Sequence, residues 1–312
     1  MKMTKKLLVA AACSAFAFVF TSCLPDLSLS DLFQTKFGDK KIFTYSDNDK
    51  EDGLGKWTIK GTNESETEYI RGMQFLQTKH SDMAGVVEIT GSDGGVVGIA
   101  FNVSQNTDKT LDNYKTYNFC LAGVRYYKNT LNGDTKPQPY FYVSYYANIS
   151  AENMTGNNFG AYNSETDKYI TKTAYDPECY TPYEIEFQTY KKLDYSLIDS
   201  ENDTMTVVID VKEVNKKNDA DGAYADGSYL VNLYKIDAYN VKGMKFNSNK
   251  DEYLVTSSPV VLEASKLGKD TAAQAKVGVY ANVYPKPKTT DTPTTLDAVV
   301  RIADLTNSAI AE

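Results

Sequence analysis

The chain has 312 residues, a net charge of −8 and 42% hydrophobic residues. This length provides core for one large β-domain or two smaller domains. The acidic balance argues against nucleic acid and anionic lipid headgroups as partners, and it is compatible with neutral glycans, cationic ligands and calcium. Tyrosine is the unusual residue, at 24 copies against a single tryptophan.

The N-terminus has the features of an export signal. Three lysines precede an apolar run over residues 7–20, which is too short for the ~20 residues that span a bilayer. Small residues and then Cys23 follow, in an order that resembles the lipobox of bacterial lipoproteins, spirochaete lipoproteins in particular. Phe20 departs from that pattern, because most lipoboxes carry leucine there. A soluble exported protein that is cleaved nearby is the alternative.

The lipobox resemblance implies a domain order and a location. Residues 1–22 would be a signal peptide, and Cys23 would be the lipidated first residue of the mature chain. Residues 23–40 form a tether, and residues 41–312 form one β-sandwich domain. The resemblance implies a membrane partner through the lipid at Cys23, in the cell envelope and at the outer membrane, facing the periplasm or the surface.

Alternation of apolar and polar residues predicts most of the secondary structure after residue 50. Turn signals rich in glycine and aspartate separate the alternating segments. The predicted strands cover residues 56–61, 72–78, 85–90, 96–104, 117–127, 139–150, 183–190, 204–214, 228–239, 276–284 and 296–305. At most one or two short helices are expected, and the best candidate starts at Ser258 and ends at Gly268.

Many evenly spaced strands predict an all-β, two-sheet antiparallel β-sandwich. The segments "KVGVYANVYP" and "LDAVVRIADL" are similar to the closing strands of concanavalin A-like jelly-roll domains, and "DNDKEDGLGKWTIKG" is similar to their first element. This resemblance implies a jelly roll. Any function taken from the fold alone is an analogy.

Two cysteines remain once the signal peptide and Cys23 are set aside. Cys120 lies in an apolar strand pattern and Cys179 in a turn-like stretch. Because exported proteins meet an oxidising compartment, we expect a Cys120–Cys179 disulfide. The alternative is two unpaired thiols, one of them buried.

Residues suited to catalysis or metal binding are few. His80 is the only histidine, which excludes histidine clusters, and its polar surroundings predict a surface residue. Glu184 and Glu186 share one face of a strand and resemble part of the motif of jelly-roll glucanases. Gln188 stands where those enzymes carry a further carboxylate, and glutamine cannot act as the general acid.

An acidic turn ahead of the first predicted strand could bind calcium. Asp47, Asp49 and Asp52 supply the carboxylates, although the turn does not have the EF-hand pattern. A solvated acidic turn is the alternative. No other cofactor is expected.

Tyrosines on one face of two strands form the main candidate binding surface. Each ring offers an apolar face and a hydroxyl, which suits a sugar, although half-buried tyrosine is also ordinary in strands. If the strands are neighbours in one sheet, they form an aromatic and amide surface. Its candidate residues are Tyr140, Tyr142, Tyr146, Asn148, Tyr280, Asn282, Tyr284 and Arg125.

These observations favour a non-enzymatic binding module on a cell-envelope lipoprotein. Carbohydrate is the expected ligand class, bound through the tyrosine-rich sheet face. An adhesin or structural envelope protein that binds an envelope or host protein is the first alternative. A glycoside hydrolase that uses Glu184 and Glu186 is the remote alternative.

Overall fold

The computed structural model describes residues 34–38, 42–46, 53–105, 117–128, 133–149, 162–163, 168–169, 189–215, 222–265, 267 and 276–305. The strands from Phe43 onward belong to one compact unit.

Two antiparallel sheets contain most of the strands. The seven-stranded sheet consists of β1 (Gln34–Gly38), β4 (Ile70–Lys79), β6 (Gly95–Gln105), β7 (Tyr117–Tyr127), β8 (Gln138–Ile149), β11 (Thr189–Lys192) and β18 (Lys276–Val283). Its strand order is β1-β4-β18-β6-β7-β8-β11. The eight-stranded sheet consists of β2 (Phe43–Ser46), β3 (Gly55–Asn63), β5 (Asp82–Thr90), β12 (Ile198–Asp199), β13 (Thr204–Glu213), β14 (Tyr229–Lys235), β17 (Val260–Leu262) and β19 (Thr294–Asp304). Its order is β17-β14-β13-β5-β19-β3-β2, with β12 paired to β13.

The remaining described elements are short. β9 (Tyr162–Asn163) pairs with β10 (Lys168–Tyr169), and β15 (Tyr239–Asn240) pairs with β16 (Lys245–Phe246). The helices in the described part of the chain are single 3-10 turns at Tyr195–Leu197, Ile236–Ala238 and Lys250–Tyr253. None of these helices is long and apolar enough to cross a membrane.

The predicted two-sheet jelly-roll sandwich is confirmed. The chain alternates between the sheets, since β3 and β5 lie in one and β4 and β6 in the other. One hydrophobic core between the sheets contains the side chains that the alternation assigned to the interior of β8, namely Phe141, Val143 and Tyr145. Trp57 of β3 is fully buried in the same core.

Most strand boundaries agree with the alternation pattern, and the exceptions are local. The predicted strand 228–239 ends at Lys235, because Ile236–Ala238 forms a 3-10 turn. Most of the predicted strand 183–190 lies outside the described residues.

The segment predicted as a helix from Ser258 contains β17, because Val260 to Leu262 pair with the edge of β14. The predicted end of that helix, Gly268, lies outside the described residues. Residues 34–38, predicted as tether, form the edge strand β1.

Cys120 is a free thiol in this structure. It points from β7 into the core between the sheets and is fully buried, so the predicted bridge to Cys179 is not formed here. Burial raises the pKa of the Cys120 thiol, and a hydrogen bond with the Asn102 side chain acts in the opposite direction. Cys179 itself lies outside the described residues.

A short irregular segment, residues 236–253, packs on the outer face of the eight-stranded sheet. Its apolar side chains meet Ala84, Val86 and Val208, which point away from the sandwich core. Asp210 lies on this same outer face and is fully buried, and the Lys250 Nζ atom is 3.8 Å from its Oδ2. A buried carboxylate beside one lysine is therefore covered by this segment.

Candidate functional site

The predicted tyrosines do lie on one face of one sheet, but their strands are not neighbours. β8 carries Tyr140, Tyr142 and Tyr146, and β18 carries Tyr280. β6 and β7 lie between these two strands. We call the outer face of these four strands, together with Tyr284 just after β18, the tyrosine face.

Two glycines separate the tyrosines in the central row of this face. Tyr280 pairs with Gly98, Gly98 with Gly123, and Gly123 with Tyr142. A Cβ atom on Gly98 would lie 2.1 Å from the backbone oxygen of Ala122, so the close approach of the strands requires glycine there. The two glycines leave this one row without side chains between Tyr280 and Tyr142.

The tyrosine rings fill this space by packing against one another. Tyr146 and Tyr280 approach to 6.4 Å between ring centres, although two strands separate their backbones. Phe119 of β7 stacks on Tyr146 at 4.9 Å. The rings therefore lie over the central strands instead of standing in solvent.

Burial corrects the expectation of a broad, exposed aromatic platform. Tyr140 is 0% exposed, Tyr280 2%, Tyr146 8% and Tyr142 9%. These rings belong to a second hydrophobic cluster on the outside of the seven-stranded sheet. Most of their surface stabilises the fold and is not available for a ligand.

Tyr140 is a structural residue rather than a ligand contact. Its hydroxyl donates a hydrogen bond to Asp134, which also forms an ion pair with Lys192. Its ring packs at 4.9 Å from the ring of Tyr127. With its ring buried and its hydroxyl engaged, Tyr140 connects β8 to the preceding loop and to β11.

A small pocket of about 60 Å³ remains open on the tyrosine face. Ligand pockets for whole small molecules are several times larger, at about 300–1,000 Å³. This pocket therefore suits one projecting group of a larger molecule. It is lined by Tyr142, Tyr146, Tyr280, Tyr284, Ser144, Asn282, Val96 and Leu121.

Asn282 is the polar group of this pocket with an open hydrogen-bonding position. The residue is 8% exposed, and its Oδ1 atom is buried without a hydrogen-bond partner among the described residues. An unsatisfied buried acceptor costs about 1–3 kcal/mol. A ligand hydroxyl that donates to Oδ1 would recover this cost.

Arg125 lies beside the pocket through its contact with Tyr284. Its Cζ atom is 3.9 Å from the centre of the Tyr284 ring and 3.5 Å from that of Tyr127. Burial raises the pKa of Tyr142, the neighbouring Tyr284 and Tyr127 hydroxyls raise it further, and Arg125 opposes the shift. The Tyr142 phenol therefore stays neutral at physiological pH.

Pattern reasoning placed the candidate residues on a common face and missed how the pocket is built. Val96 and Leu121 line the pocket from the two central strands, and neither was a candidate. The Cζ atom of Arg71 is 4.3 Å from the centre of the Tyr69 ring. The Tyr69 ring contacts the Tyr284 ring edge-on. The register of β6 between β18 and β7 would have been needed to find these neighbours.

His80 is not the surface residue that its polar surroundings predicted, since 9% of its side chain is exposed. Its Nδ1 atom is 2.9 Å from Asp304 Oδ2, and its Nε2 atom is 2.8 Å from Thr78 Oγ1. These contacts join the end of β4 in one sheet to the end of β19 in the other. Thr78, His80 and Asp304 do not line the pocket. Their hydrogen bonds connect the two sheets.

Several predicted site residues lie outside the described part of the chain. They are Cys23, Asp47, Asp49, Asp52, Cys179, Glu184 and Glu186, and the side chain of Asn148 is likewise not described. Within residues that the structure describes, no group of three acidic, histidine or cysteine side chains is placed to bind a metal ion. Calcium at Asp47, Asp49 and Asp52 stays a prediction.

Comparisons with known proteins give distant likenesses only. No protein-family model and no curated protein sequence matches the chain. A legume lectin-like domain from Entamoeba histolytica matches at 8% identity and a TM-score of 0.37, over 87% of this chain and 88% of that one. The VIP36 exoplasmic/lumenal domain in its Ca²⁺/Man2-bound form matches at 10% identity and a TM-score of 0.35, over 92% of this chain and 87% of that one.

A third solved structure, LamAcat from Zobellia galactanivorans, matches at 7% identity and a TM-score of 0.35, over 90% of this chain and 99% of that one. At such low identities and TM-scores, these likenesses carry no argument about the function of this chain.

Proposed function

We propose that this chain is a non-enzymatic carbohydrate-binding module of the cell envelope, held at the membrane by a lipid on Cys23. The pocket on the tyrosine face receives one projecting group of a saccharide. The rest of the saccharide lies against the rims of the surrounding rings.

The unsatisfied Oδ1 atom of Asn282 is the observation that carries this proposal. The Asn282 residue lines a pocket whose other walls are four tyrosine rings, one serine and two aliphatic side chains. Sugars combine apolar CH groups with hydroxyl donors, and a site for them needs both apolar walls and a few convergent polar groups. Most of the surface that this pocket exposes is polar, and the rings and aliphatic side chains supply the smaller apolar part.

Attachment to the envelope rests on the sequence alone. The short apolar run over residues 7–20, followed by small residues and Cys23, supports export and lipidation. A lipidated cysteine that carries several acyl chains anchors stably, whereas a single chain anchors only marginally. The sandwich would then present its tyrosine face at the membrane surface, free to meet a glycan.

A glycan array tests the proposal directly. We expect the purified sandwich domain to bind a defined set of glycans on the array. Absence of binding to every glycan, together with capture of a specific envelope or host protein, would favour the adhesin alternative. Release of reducing sugar that is lost in a Glu184→Gln variant would favour the hydrolase alternative.

A further inference from the structure

We propose that the saccharide carries an anionic substituent, a carboxylate or a sulfate, and that Arg125 recognises it. This inference rests on the proposed carbohydrate-binding function and narrows its ligand class. This anionic class also differs from the neutral glycans, cationic ligands and calcium with which the acidic net charge is compatible.

The first argument is how Arg125 is held. The centres of two aromatic rings, those of Tyr127 and Tyr284, lie at 3.5 Å and 3.9 Å from its Cζ atom. Cation–π attraction to two rings at these distances stabilises this position of the guanidinium. The guanidinium is therefore fixed in position next to a ring that lines the pocket.

The second argument is the lack of an acidic partner for this charge. Across the described ranges, no carboxylate lies within 4.0 Å of the Arg125 guanidinium, and its Nε atom is buried without a hydrogen-bond partner. Asp134, the buried carboxylate near Tyr140, is engaged by Lys192 and by the Tyr140 hydroxyl. In a chain with a net charge of −8, a half-buried arginine without a carboxylate is an unusual arrangement.

The surrounding tyrosines do not supply a negative charge. Burial raises the pKa of Tyr69 and of Tyr142, so both phenols are neutral at physiological pH. A second guanidinium, that of Arg71, stacks on Tyr69 near the same end of the pocket. The neutral phenols therefore do not compensate the charge of Arg125.

The geometry also selects the form of the anion. An anion can hydrogen-bond only to the edge of the guanidinium, where its N–H donors lie. That edge matches the two oxygens of a carboxylate or sulfate in a bidentate contact, which a lysine could not reproduce. Asn282, two residues before Tyr284 on the same face, can accept a hydrogen bond from a neighbouring sugar hydroxyl.

Matched saccharide pairs test this inference by calorimetric titration. One pair is a short oligogalacturonate and the same oligomer with its carboxyl groups reduced to hydroxymethyl groups. The other is a sulfated carrageenan oligomer and its desulfated form. We expect wild-type protein to bind the acidic member of one pair at least about tenfold more tightly than its neutral counterpart. The pair that shows the preference identifies carboxylate or sulfate as the recognised group.

Variants of Arg125 test whether this residue causes the preference for the acidic saccharide. Arg125→Gln should abolish it and leave the weaker binding of the neutral member, and Arg125→Lys should keep only part of it. Lys60→Gln is the charge-matched control, since Lys60 is 71% exposed and pairs with Asp297 on the other sheet. This control should keep the full preference.

Equal binding of both members of each pair by the wild type would overturn the inference and leave the proposed function standing. A preference that survives in Arg125→Gln would also overturn it. Failure to bind any saccharide would overturn the proposed function as well. The wild-type comparison needs no variant, so it remains decisive if Arg125→Gln does not fold.

Discussion

Replacement of Tyr140 with alanine is expected to lower the free energy of unfolding by about 3–5 kcal/mol, the range for deletion of a buried aromatic ring. The ring is 0% exposed and packs against Tyr127, so alanine leaves a cavity between β7 and β8. The change also removes the hydroxyl that donates to the buried Asp134 carboxylate. Urea denaturation of wild type and variant measures the difference.

Two control variants separate the contributions to this loss. Tyr140→Phe keeps the ring and removes only the donor to Asp134, so a smaller loss of about 1–3 kcal/mol is expected. Val241→Ala changes an exposed side chain and should stay within about 0.5 kcal/mol of wild type. An unchanged stability in Tyr140→Ala would contradict the burial of the tyrosine face.

Replacement of Lys250 with methionine is expected to destabilise the protein by about 3 kcal/mol at neutral pH, as for a broken buried ion pair. Asp210 is fully buried, and neither carboxylate oxygen has a hydrogen-bond partner among the described residues. Burial raises the pKa of Asp210, Asp82 raises it further, and Lys212 and Lys250 lower it. Without Lys250, the charged carboxylate loses a cation 3.8 Å away.

The pH dependence of this loss has a defined sign. Because the folded-state pKa of Asp210 is raised, the protonated form favours folding, and this contribution is lost as pH rises through that pKa. The difference between Lys250→Met and wild type should therefore be large at about pH 7 and small below about pH 4, near the unfolded pKa of aspartate. Urea denaturation at both pH values measures it.

The double variant Asp210→Asn, Lys250→Met should recover most of the lost stability, because it leaves no buried charge without a partner. The raised pKa values of Asp82 and Glu213 are common to all these proteins and cancel in the comparison. A loss of equal size at both pH values would mean that Lys250 acts through packing on Tyr234 and Phe246 instead.

Period-two alternation predicted most of the long strands and the side of each that faces the core between the sheets. A strand has only two faces, so Phe141, Val143 and Tyr145 could be assigned to the interior from β8 alone. The same argument placed Tyr280 and Asn282 on the outer face. The face on which a side chain lies is a local property of its strand, so the sequence of that strand is enough to assign it.

The burial of the tyrosine face depends on pairing between strands far apart in the chain. Gly98 and Gly123 create space for the rings only because β6 and β7 lie between β18 and β8. No local pattern in β8 reveals these neighbours. For the same reason, the polar surroundings of His80 gave no sign of Asp304, which is 224 residues away in the chain.

The composition of the chain could not predict where on the surface its positive charges lie. The net charge is an average over the whole chain, whereas a ligand meets the charges within a Debye length, about 10 Å at moderate salt. Arg125 and Arg71 stack on rings that come from different strands and loops. Their common position follows from the sheet order.

Titration of the strongest-binding array glycan into wild-type protein and Asn282→Ala tests the central claim most directly. We expect the variant to bind at least about tenfold more weakly, because the ligand loses an acceptor whose bond contributes about 1–3 kcal/mol. Asn249→Ala, an exposed asparagine in the segment on the other sheet, is the control and should bind like wild type. Equal affinity of Asn282→Ala and wild type would contradict binding at the tyrosine face.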